Sequence, residues 1–363
     1  MKQLELPHRT ADYLCPVNGL CDIYEWKTGN RLPEELIHGS RPGFQLISQD
    51  RAIPPKMIFW GQGTIGKDQF NYWKNLIGYN MIASEGKPFQ QTLMEVKSLI
   101  DQDIPTILFG LDMYHLPYHE AFYHTQHIPG HVLLMVGYDE QAVFVHDNSK
   151  LGVQTVPNSD LQQAWAQDYI GISKKNAYFG IDMCRPNLNI ADIIQQGMAR
   201  NAALYLNAPV DFIGARGIEK LIAELPAWNA RFPADVMKQI YLHHVEFTAS
   251  TVPELPEELS GIYSGIDNPH QAGRDKLADA LLKYQSDFGT TKWATAAKQL
   301  RESGKMIEAI IKECINDIRA MSFADIDKFI PLLSEVKNIE ERAIGQFQIE
   351  RTIHKNRPND LDR

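Results

Sequence analysis

Residues 16–28 repeat apolar side chains at the spacing of an amphipathic helix. The residues at positions i, i+3, i+4 and i+7 of this repeat are Val17, Leu20, Cys21 and Tyr24. Such a stripe is typical of a helix with one buried face. Pro16 suits the first helical turn, and Gly29 suits the position just past the end. The pattern therefore predicts a helix over Pro16–Thr28, with Cys15 at or beside its first turn.

Three apolar runs in the first half of the chain predict strands. They are Pro105–Leu111, His131–Tyr138 and Ala142–Asp147. A tight turn near Asp139 and Glu140 separates the last two runs, so these are expected to form a hairpin. Helical periodicity is also present from Pro33 and over Gln91–Asp101. The first half is therefore expected to mix strands with helices.

The second half of the chain shows helical periodicity almost throughout. The predicted helices are Ile190–Leu206, Ile218–Leu225, Ala234–Phe247, Gly273–Tyr284, Trp293–Glu302 and Met306–Ala320. Ser322 and Asp325 have the spacing of a capping box, which predicts one more helix after them. The final stretch, His354–Arg363, is polar and is expected to fray.

The change from mixed to helical patterning falls near Asp182–Asn189. Pro186 cannot continue a helix, and the asparagines that follow it favour turns. A chain of 363 residues also exceeds what one hydrophobic core usually supports. We therefore predict an α+β domain over residues 1–183 and a mostly α-helical domain over residues 190–363.

Composition and charge argue against several classes of partner. The chain is 44% hydrophobic and 22% charged, which is ordinary for a globular protein. A net charge of −9, with no Lys/Arg run longer than a pair, argues against nucleic acid. No apolar run approaches the roughly 18 residues of a membrane span, and no apolar stretch follows the first charges as in a signal peptide. A cytoplasmic protein that binds neither nucleic acid nor membrane is expected.

The four cysteines follow no metal-finger spacing and are expected to be free thiols in a reducing compartment. Cys15 would meet the unpaired N–H groups and the positive dipole end of the first predicted helix. Such a position lowers the pKa of a thiol and makes it a usable nucleophile. Cys21 lies on the apolar stripe instead, where burial keeps a thiol inert. Cys15 is therefore the candidate nucleophile, and the plainer alternative is a small buried hydrophobe.

His131 and Asp147 stand at the open ends of the two predicted hairpin strands. A loop of three residues, or a shorter loop with a bulge, would place both side chains on one face. A strict two-residue loop would place them on opposite faces. In the paired register, Asp147 can hold one ring nitrogen of His131 while the other nitrogen faces a thiol. This arrangement predicts His131 as the base and Asp147 as the orienting group for Cys15.

Five histidines lie close together before and at the start of the second predicted strand. They are His115, His119, His124, His127 and His131. Zinc requires three or four converging ligands, whereas Pro117 and Pro129 argue against a helix through the pairs at i, i+4 spacing. We expect no metal and no cofactor, and a loop that contacts substrate through residues such as Tyr114 and His127. A metalloprotein built on the histidine cluster is the alternative.

Several stretches of the chain resemble the butirosin biosynthesis protein H family. These stretches are Cys15-Pro-Val-Asn-Gly-Leu, Leu32–Gly39, Asp112–Tyr118, His131–Asp139 and His146-Asp147. The order of cysteine, histidine and aspartate also resembles papain-like enzymes of the C39 peptidase type. The resemblance covers about residues 8 to 180, and the second half is similar to the helical domain that accompanies this N-terminal domain. It implies a papain-like fold followed by a helical domain.

The resemblance implies a cysteine acyltransferase of natural-product biosynthesis. Cys15 would take an acyl group from a thioester on an acyl carrier protein and pass it to an amine or hydroxyl of a small molecule. His131 and Asp147 carry over as the other members of the triad. Peptide or thioester hydrolysis and cyclisation use the same triad and are alternatives, as is an inactive papain-like binding scaffold. The oligomeric state stays open, with a homo-oligomer among the alternatives.

Two positions depart from the enzymes that the chain resembles. Many enzymes of the C39 type carry a glutamine shortly before the cysteine, whereas this chain has His8 and Arg9 there. Pro16 also stands where relatives often have a small or polar residue. The main-chain N–H of Cys15 is one candidate donor to an oxyanion. His8, Arg9 or Asn18 is expected to supply the second.

Overall fold

The computed structural model describes residues 1–11, 14–39, 41–47, 54–60, 66–169, 173–248 and 271–348. Within these ranges an antiparallel sheet occupies the first half of the chain, and helices fill the second half. The predicted mixed first half and helical second half are confirmed. The polar end, His354–Arg363, lies outside the described residues.

Within the described residues, nine strands form two separate antiparallel sheets. The strands are β1 (Lys2–Gln3), β2 (Gly43–Ile47), β3 (Lys56–Trp60), β4 (Asn80–Ser84), β5 (Thr106–Leu111), β6 (His131–Tyr138), β7 (Ala142–Asp147), β8 (Lys150–Pro157) and β9 (Ala177–Asp182). The main sheet has the order β4-β9-β5-β6-β7-β8, with β1 paired to the end of β6, and β2 pairs only with β3 among the described strands. The bounds predicted for β6 and β7 are confirmed, and β5 begins one residue later than predicted.

Five helices lie in the first half and six in the second, counting only the described residues. They are α1 (Cys15–Thr28), α2 (Glu34–Ile37), α3 (Lys67–Trp73), α4 (Phe89–Asp101), α5 (Asn158–Ala164), α6 (Ile190–Leu206), α7 (Gly214–Arg231), α8 (Ala234–Thr248), α9 (Arg274–Phe288), α10 (Lys292–Ala320) and α11 (Phe329–Gly345). None of these helices is long and apolar enough to cross a membrane.

Several details of the helical half differ from the sequence prediction, among them the bounds of α7, one continuous helix and one cap. Helix α10 is continuous where two helices were predicted, and Gly304 within it lies at a close contact with the start of α9. A Cβ on Gly304 would lie 2.8 Å from Gln271 and 3.2 Å from Arg274, so packing offsets the cost of a helical glycine. The predicted capping box is wrong. Asp325 opens a short 3₁₀ turn without a side-chain cap, and α11 begins only at Phe329.

Alternate side chains of β6 pack into two different hydrophobic cores. Val132, Leu134 and Val136 join the core that contains α1. Leu133 and Met135 join the core that contains α4. A strand covered on both faces carries a continuous apolar run, which explains why β6 could be recognised in the sequence. The same packing holds α1 against the strand that opens with the candidate base.

Helix α1 crosses β6 at Gly19. A Cβ on Gly19 would lie 2.8 Å from the Cβ of Leu134, so glycine alone allows this approach of helix to strand. The helix has Pro16 in its first turn and ends at Gly29, which has the left-handed φ of 72°. The predicted helix is confirmed, one residue longer at its start. Its first residue is Cys15.

The β2–β3 hairpin packs into the core of the helical half. Its buried residues Phe44 and Phe59 share a hydrophobic cluster with side chains of α7, α8, α10 and α11. Arg274 of α9 is buried and donates to the main-chain oxygens of Gly43 (3.2 Å) and Trp60 (2.7 Å). The hairpin therefore links the first half of the chain to the second. The proposed domain ranges stay predictions.

Candidate active site

A bulge in the β6–β7 hairpin places His131 and Asp147 on one face of the sheet. The register shifts between Met135 and Gly137, so one extra residue of β6 is accommodated. Nε2 of His131 lies 2.7 Å from Oδ2 of Asp147, and both side chains are buried. The structure thus brings together two of the three residues predicted to form a triad.

Cys15 lies next to this pair. As the first residue of α1 it is half-buried, and its interaction with His131 is one of the causes that raise the pKa of that ring. Since Nε2 of His131 faces Asp147, Nδ1 is the ring nitrogen left for the thiol. The first turn of α1 contains no acidic residue, so no negative charge in that turn offsets the positive end of the helix dipole near the sulfur.

The charges of His131 and Asp147 stabilise each other. Burial lowers the pKa of His131, but the charge and hydrogen bond of Asp147, joined by those of Cys15, raise it to about 10. Burial raises the pKa of Asp147, but the charge of His131 and the hydrogen bonds from two histidines hold that pKa well below its usual range. The surroundings therefore favour an imidazolium beside the thiol and an ionised carboxylate behind it.

Five hydrogen bonds converge on the carboxylate of Asp147. Besides the His131 bond, Oδ2 accepts from Tyr118 (3.0 Å) and His119 (2.9 Å). Oδ1 accepts from the main-chain N–H and the hydroxyl of Ser149, each at 2.8 Å. Burial raises the pKa of Tyr118 and lowers the pKa of His119, so both remain neutral donors. Sequence reasoning missed the roles of Tyr118 and His119, although Tyr118 closes one of the stretches that carry the family resemblance.

Asp112 anchors the loop that delivers these two side chains. Its Oδ1 accepts from the main-chain N–H groups of Tyr114 (3.1 Å) and Ile128 (3.0 Å). Its Oδ2 lies 2.6 Å from Nδ1 of His127, and the rings of His127 and Tyr114 stack with centroids 4.1 Å apart. The two residues predicted to contact substrate therefore meet each other at the loop anchor, with His127 largely exposed.

The side chains predicted to bind an oxyanion are engaged elsewhere. Both ring nitrogens of His8 face other acceptors. The amide of Asn18 donates to the main-chain oxygen of Arg9 (2.9 Å), and the guanidinium of Arg9 binds Glu25 (2.6 Å). The main-chain N–H of Cys15, at the start of a helix and without an intrahelical acceptor, is the donor that the geometry supports best.

Of the five clustered histidines, all of them described, only two meet at the candidate site. Nε2 of His119 and Nε2 of His131 converge with the Asp147 carboxylate, a composition that could hold a metal ion. Each of these nitrogens lies within hydrogen-bond distance of the carboxylate, so hydrogen bonding alone accounts for the group. The other three surround the ring of Tyr114: His115, His124 and His127.

A cavity of about 690 Å³ opens beside the start of α1. Arg9, Leu14 and Glu34 line one side of it, and Lys283 and Tyr284 of α9 line the other. Leu14 directly precedes the candidate nucleophile in the chain. The helical half therefore supplies one wall of a cavity that is lined by Leu14 but not by Cys15, His131 or Asp147.

Together, the fold and the site define an antiparallel-sheet domain with a Cys–His–Asp group, continued by helices. Residues 15–148 match the family described as Butirosin biosynthesis protein H, N-terminal, and residues 159–250 match the Domain of unknown function (DUF4872). No curated protein gives a match. The chain therefore matches the N-terminal domain of the butirosin biosynthesis protein H family over residues 15–148, followed by a match to the second domain, which confirms the resemblance. The match points to a biosynthetic function, and it spans Cys15, His131 and Asp147.

Proposed function

We propose that this chain is a cysteine-dependent acyltransferase of natural-product biosynthesis with a papain-like catalytic domain. The observation that carries the proposal is the convergence of Cys15, His131 and Asp147 at the start of α1. A protonated ring beside a thiol is the arrangement that provides a thiolate at neutral pH. The family match supports the biosynthetic setting.

In the first half-reaction, the thiolate of Cys15 attacks the carbonyl carbon of a thioester. A new C–S bond forms, and negative charge develops on the carbonyl oxygen, where the main-chain N–H at the start of α1 stabilises it. Collapse of this intermediate breaks the bond to the donor sulfur, which leaves with the proton held by His131. The acyl group is then attached to Cys15, and His131 is neutral.

In the second half-reaction, an amine or hydroxyl of a small molecule attacks the acyl group. The neutral His131 accepts the proton of the attacking group, and Cys15 leaves as a thiolate. Asp147 keeps the ring oriented and stabilises its charge in both steps. We propose an acyl carrier protein as the thioester donor. The four free cysteines fit a reducing cytoplasm as the place of the reaction.

Intact-mass spectrometry with a small acyl thioester, acetyl-N-acetylcysteamine, tests the first half-reaction. The wild type should gain one acyl group, and Cys15→Ala should gain none. Cys184→Ala removes an exposed thiol and is the matched control, which should react like the wild type. His131→Ala should slow the reaction by about 100-fold or more, because it removes the proton-transfer group.

Discharge of the acyl group separates a transferase from its alternatives. Small amines should discharge the acylated enzyme faster than buffer does, which supports acyl transfer. Equal rates with and without amine would identify a thioester hydrolase instead. Acylation of Cys184 with none on Cys15 would contradict the catalytic proposal and leave a binding scaffold as the better account.

A further inference from the structure

A second buried histidine cluster lies against the main chain of Asp147. Nδ1 of His8 lies 2.7 Å from Oδ2 of Asp22, and Nδ1 of His146 lies 3.0 Å from the same oxygen. The two imidazole rings stack with centroids 4.2 Å apart. Arg31 donates to the other oxygen of Asp22 at 2.8 Å. The proposed mechanism uses none of these side chains.

The contacts of His8 require a proton on both ring nitrogens. Nε2 faces the main-chain oxygens of Asp147 (3.1 Å) and Lys150 (2.9 Å), which can only accept hydrogen bonds. Nδ1 faces the Asp22 carboxylate, which also only accepts when ionised. Burial lowers the pKa of His8, but the hydrogen bond and charge of Asp22 and the two main-chain oxygens outweigh it and raise that pKa. A ring that donates from both nitrogens is an imidazolium.

This imidazolium joins the helix of the nucleophile to the turn that holds the orienting group. Asp22 lies on α1, two helical turns after Cys15. The two carbonyl groups belong to the last residue of β7 and the first residue of β8. Beside them, Ala11 and Asn148 exchange two hydrogen bonds of 2.8 Å. Any displacement of α1 relative to this turn would change the distance between the thiol and the catalytic ring.

Charge argues against a metal ion as the purpose of this cluster. Its two histidines and one aspartate have the composition of a metal site. However, Arg31 places a fixed positive charge against Asp22, and that charge would repel a cation. Both nitrogens of His8 also serve as donors to atoms already in place.

We propose that His8 is a positioning residue for the proposed acyl transfer. As an imidazolium, it clamps α1 to the β7–β8 turn and holds Cys15 against His131. The catalytic consequence rests on the proposed function, whereas the clamp rests on the contacts of His8 alone. The charged and titratable groups that face His8 are Asp22 and His146, with Arg31 behind Asp22.

The pH profile of Cys15 alkylation by iodoacetamide tests the clamp. His8→Gln keeps a polar side chain without the charge, and His243→Gln on α8 is the matched control. When the clamp is lost, the thiolate of Cys15 loses its partner, the His131 imidazolium, at low pH. The alkylation rate of His8→Gln should therefore fall about tenfold near pH 6 and approach the wild-type rate above about pH 9, where thiols ionise unaided. His243→Gln should follow the wild type throughout.

A His8→Gln profile that superimposes on that of the wild type would overturn the proposed clamp. So would an alkylation rate that falls by the same factor at every pH. NMR of wild-type protein with carbon-13-labelled histidine gives a test that does not depend on the variant. The His8 ring should lose its proton only above the ordinary histidine pKa of about 6.5, and loss of its proton below about pH 6.5 would also overturn the proposal. If wild-type Cys15 is unreactive near pH 6, the proposed acyl transfer fails, while the NMR result for His8 stands on its own.

Discussion

The behaviour of the candidate site depends on how one buried carboxylate is solvated. Asp147 is fully buried, and hydrogen bonds to both of its oxygens replace the water that it has lost. Tyr118 and His119 donate to it as neutral groups. The negative charge of Asp147 is therefore directed mainly at the His131 ring, which is the group that would carry a proton during the proposed acyl transfer.

Replacing Asp147 with asparagine should slow acyl-enzyme formation by about 10²–10⁴-fold. A neutral amide cannot stabilise the His131 imidazolium, and its NH₂ group would face hydrogen-bond donors. The rate of adduct formation in the intact-mass assay measures the effect. Asp101→Asn changes an exposed carboxylate that binds Tyr138 and should leave the rate unchanged. An Asp147→Asn rate equal to that of the wild type would remove Asp147 from the proposed triad.

Loss of the His131 charge at alkaline pH should make the protein less stable. The pKa of His131 in the fold, about 10, lies above its ordinary value of 6.5. Its contribution to stability is therefore complete below about pH 6.5 and is lost as the pH rises through about 10. Chemical unfolding of the wild type and His131→Gln should show a difference in the free energy of unfolding that shrinks between pH 7 and pH 10. An equal difference at both pH values would show that the ring is not protonated in the fold.

At the scale of the elements, the crossing of α1 over β6 controls where the nucleophile lies. Gly19 is at the crossing point, one helical turn after Cys15. A shift of α1 at this point moves the start of the helix with it. The position of the thiol therefore depends on a contact that carries no chemistry of its own.

Gly19→Ala should destabilise the protein and slow alkylation of Cys15. Overpacking against Leu134 costs about 1–3 kcal/mol, which outweighs the gain of about 1 kcal/mol from replacing a helical glycine. Gly345→Ala at the end of α11 meets nothing within 4 Å and is the matched control. Thermal unfolding and the alkylation rate measure both effects. Equal behaviour of the two variants would show that α1 has room at the crossing.

The sequence predicted those elements whose apolar pattern and turn residues lie within one short stretch of the chain. Strands β6 and β7 were predicted with the observed bounds because their apolar runs end at turn residues. The β2–β3 hairpin was not predicted, because each strand has only five residues and its apolar partners lie in the helical half. Pairing between distant segments leaves no periodic pattern in either segment.

The same limit applies to the site. The positions of Cys15, His131 and Asp147 were predictable because each lies at the end of a recognisable element, whereas their roles stay predictions. Tyr118 and His119 lie in an irregular loop, whose path to Asp147 no periodicity encodes. The sequence prediction gave His8 a role in binding an oxyanion, whereas its ring contacts the main chain 139 and 142 residues away.

At the scale of the whole molecule, a buried ion pair within the helical half also holds the β2–β3 hairpin of the first half. Arg274 of α9 lies 2.7 Å from Glu340 of α11, and both side chains are fully buried. Tyr205 and Ser303 also donate to Glu340, so the carboxylate is well solvated by the protein. The remaining donors of Arg274 reach the β2–β3 hairpin.

Glu340→Gln should lower the free energy of unfolding by about 3–5 kcal/mol, because it leaves the Arg274 charge buried without a counterion. Glu341→Gln is the matched control on the next position of the same helix. Its carboxylate forms only a partly exposed pair with Lys337 at 3.5 Å, so its loss should cost at most about 1 kcal/mol. Urea unfolding measures both variants. A loss for Glu340→Gln no larger than for Glu341→Gln would show that the buried pair is not needed.

A chain that ends after residue 183, at the predicted domain boundary, should not form a stable soluble unit. The hairpin would lose the helical side chains that cover Phe44 and Phe59. Solubility on expression and thermal unfolding measure the outcome. A soluble fragment that unfolds cooperatively and keeps a reactive Cys15 would contradict this expectation and support the predicted boundary as a folding boundary.

The contact between Arg274 and the hairpin also sets an order of events on the ribosome. Arg274 lies 231 residues after Gly43 and 214 residues after Trp60. At about 5–20 residues per second, the hairpin waits roughly 10–50 s for this partner to be synthesised. During that interval the aromatic side chains of the hairpin are open to chaperones and to neighbouring nascent chains. We therefore expect the chaperone dependence of this protein to concentrate on residues 43–60.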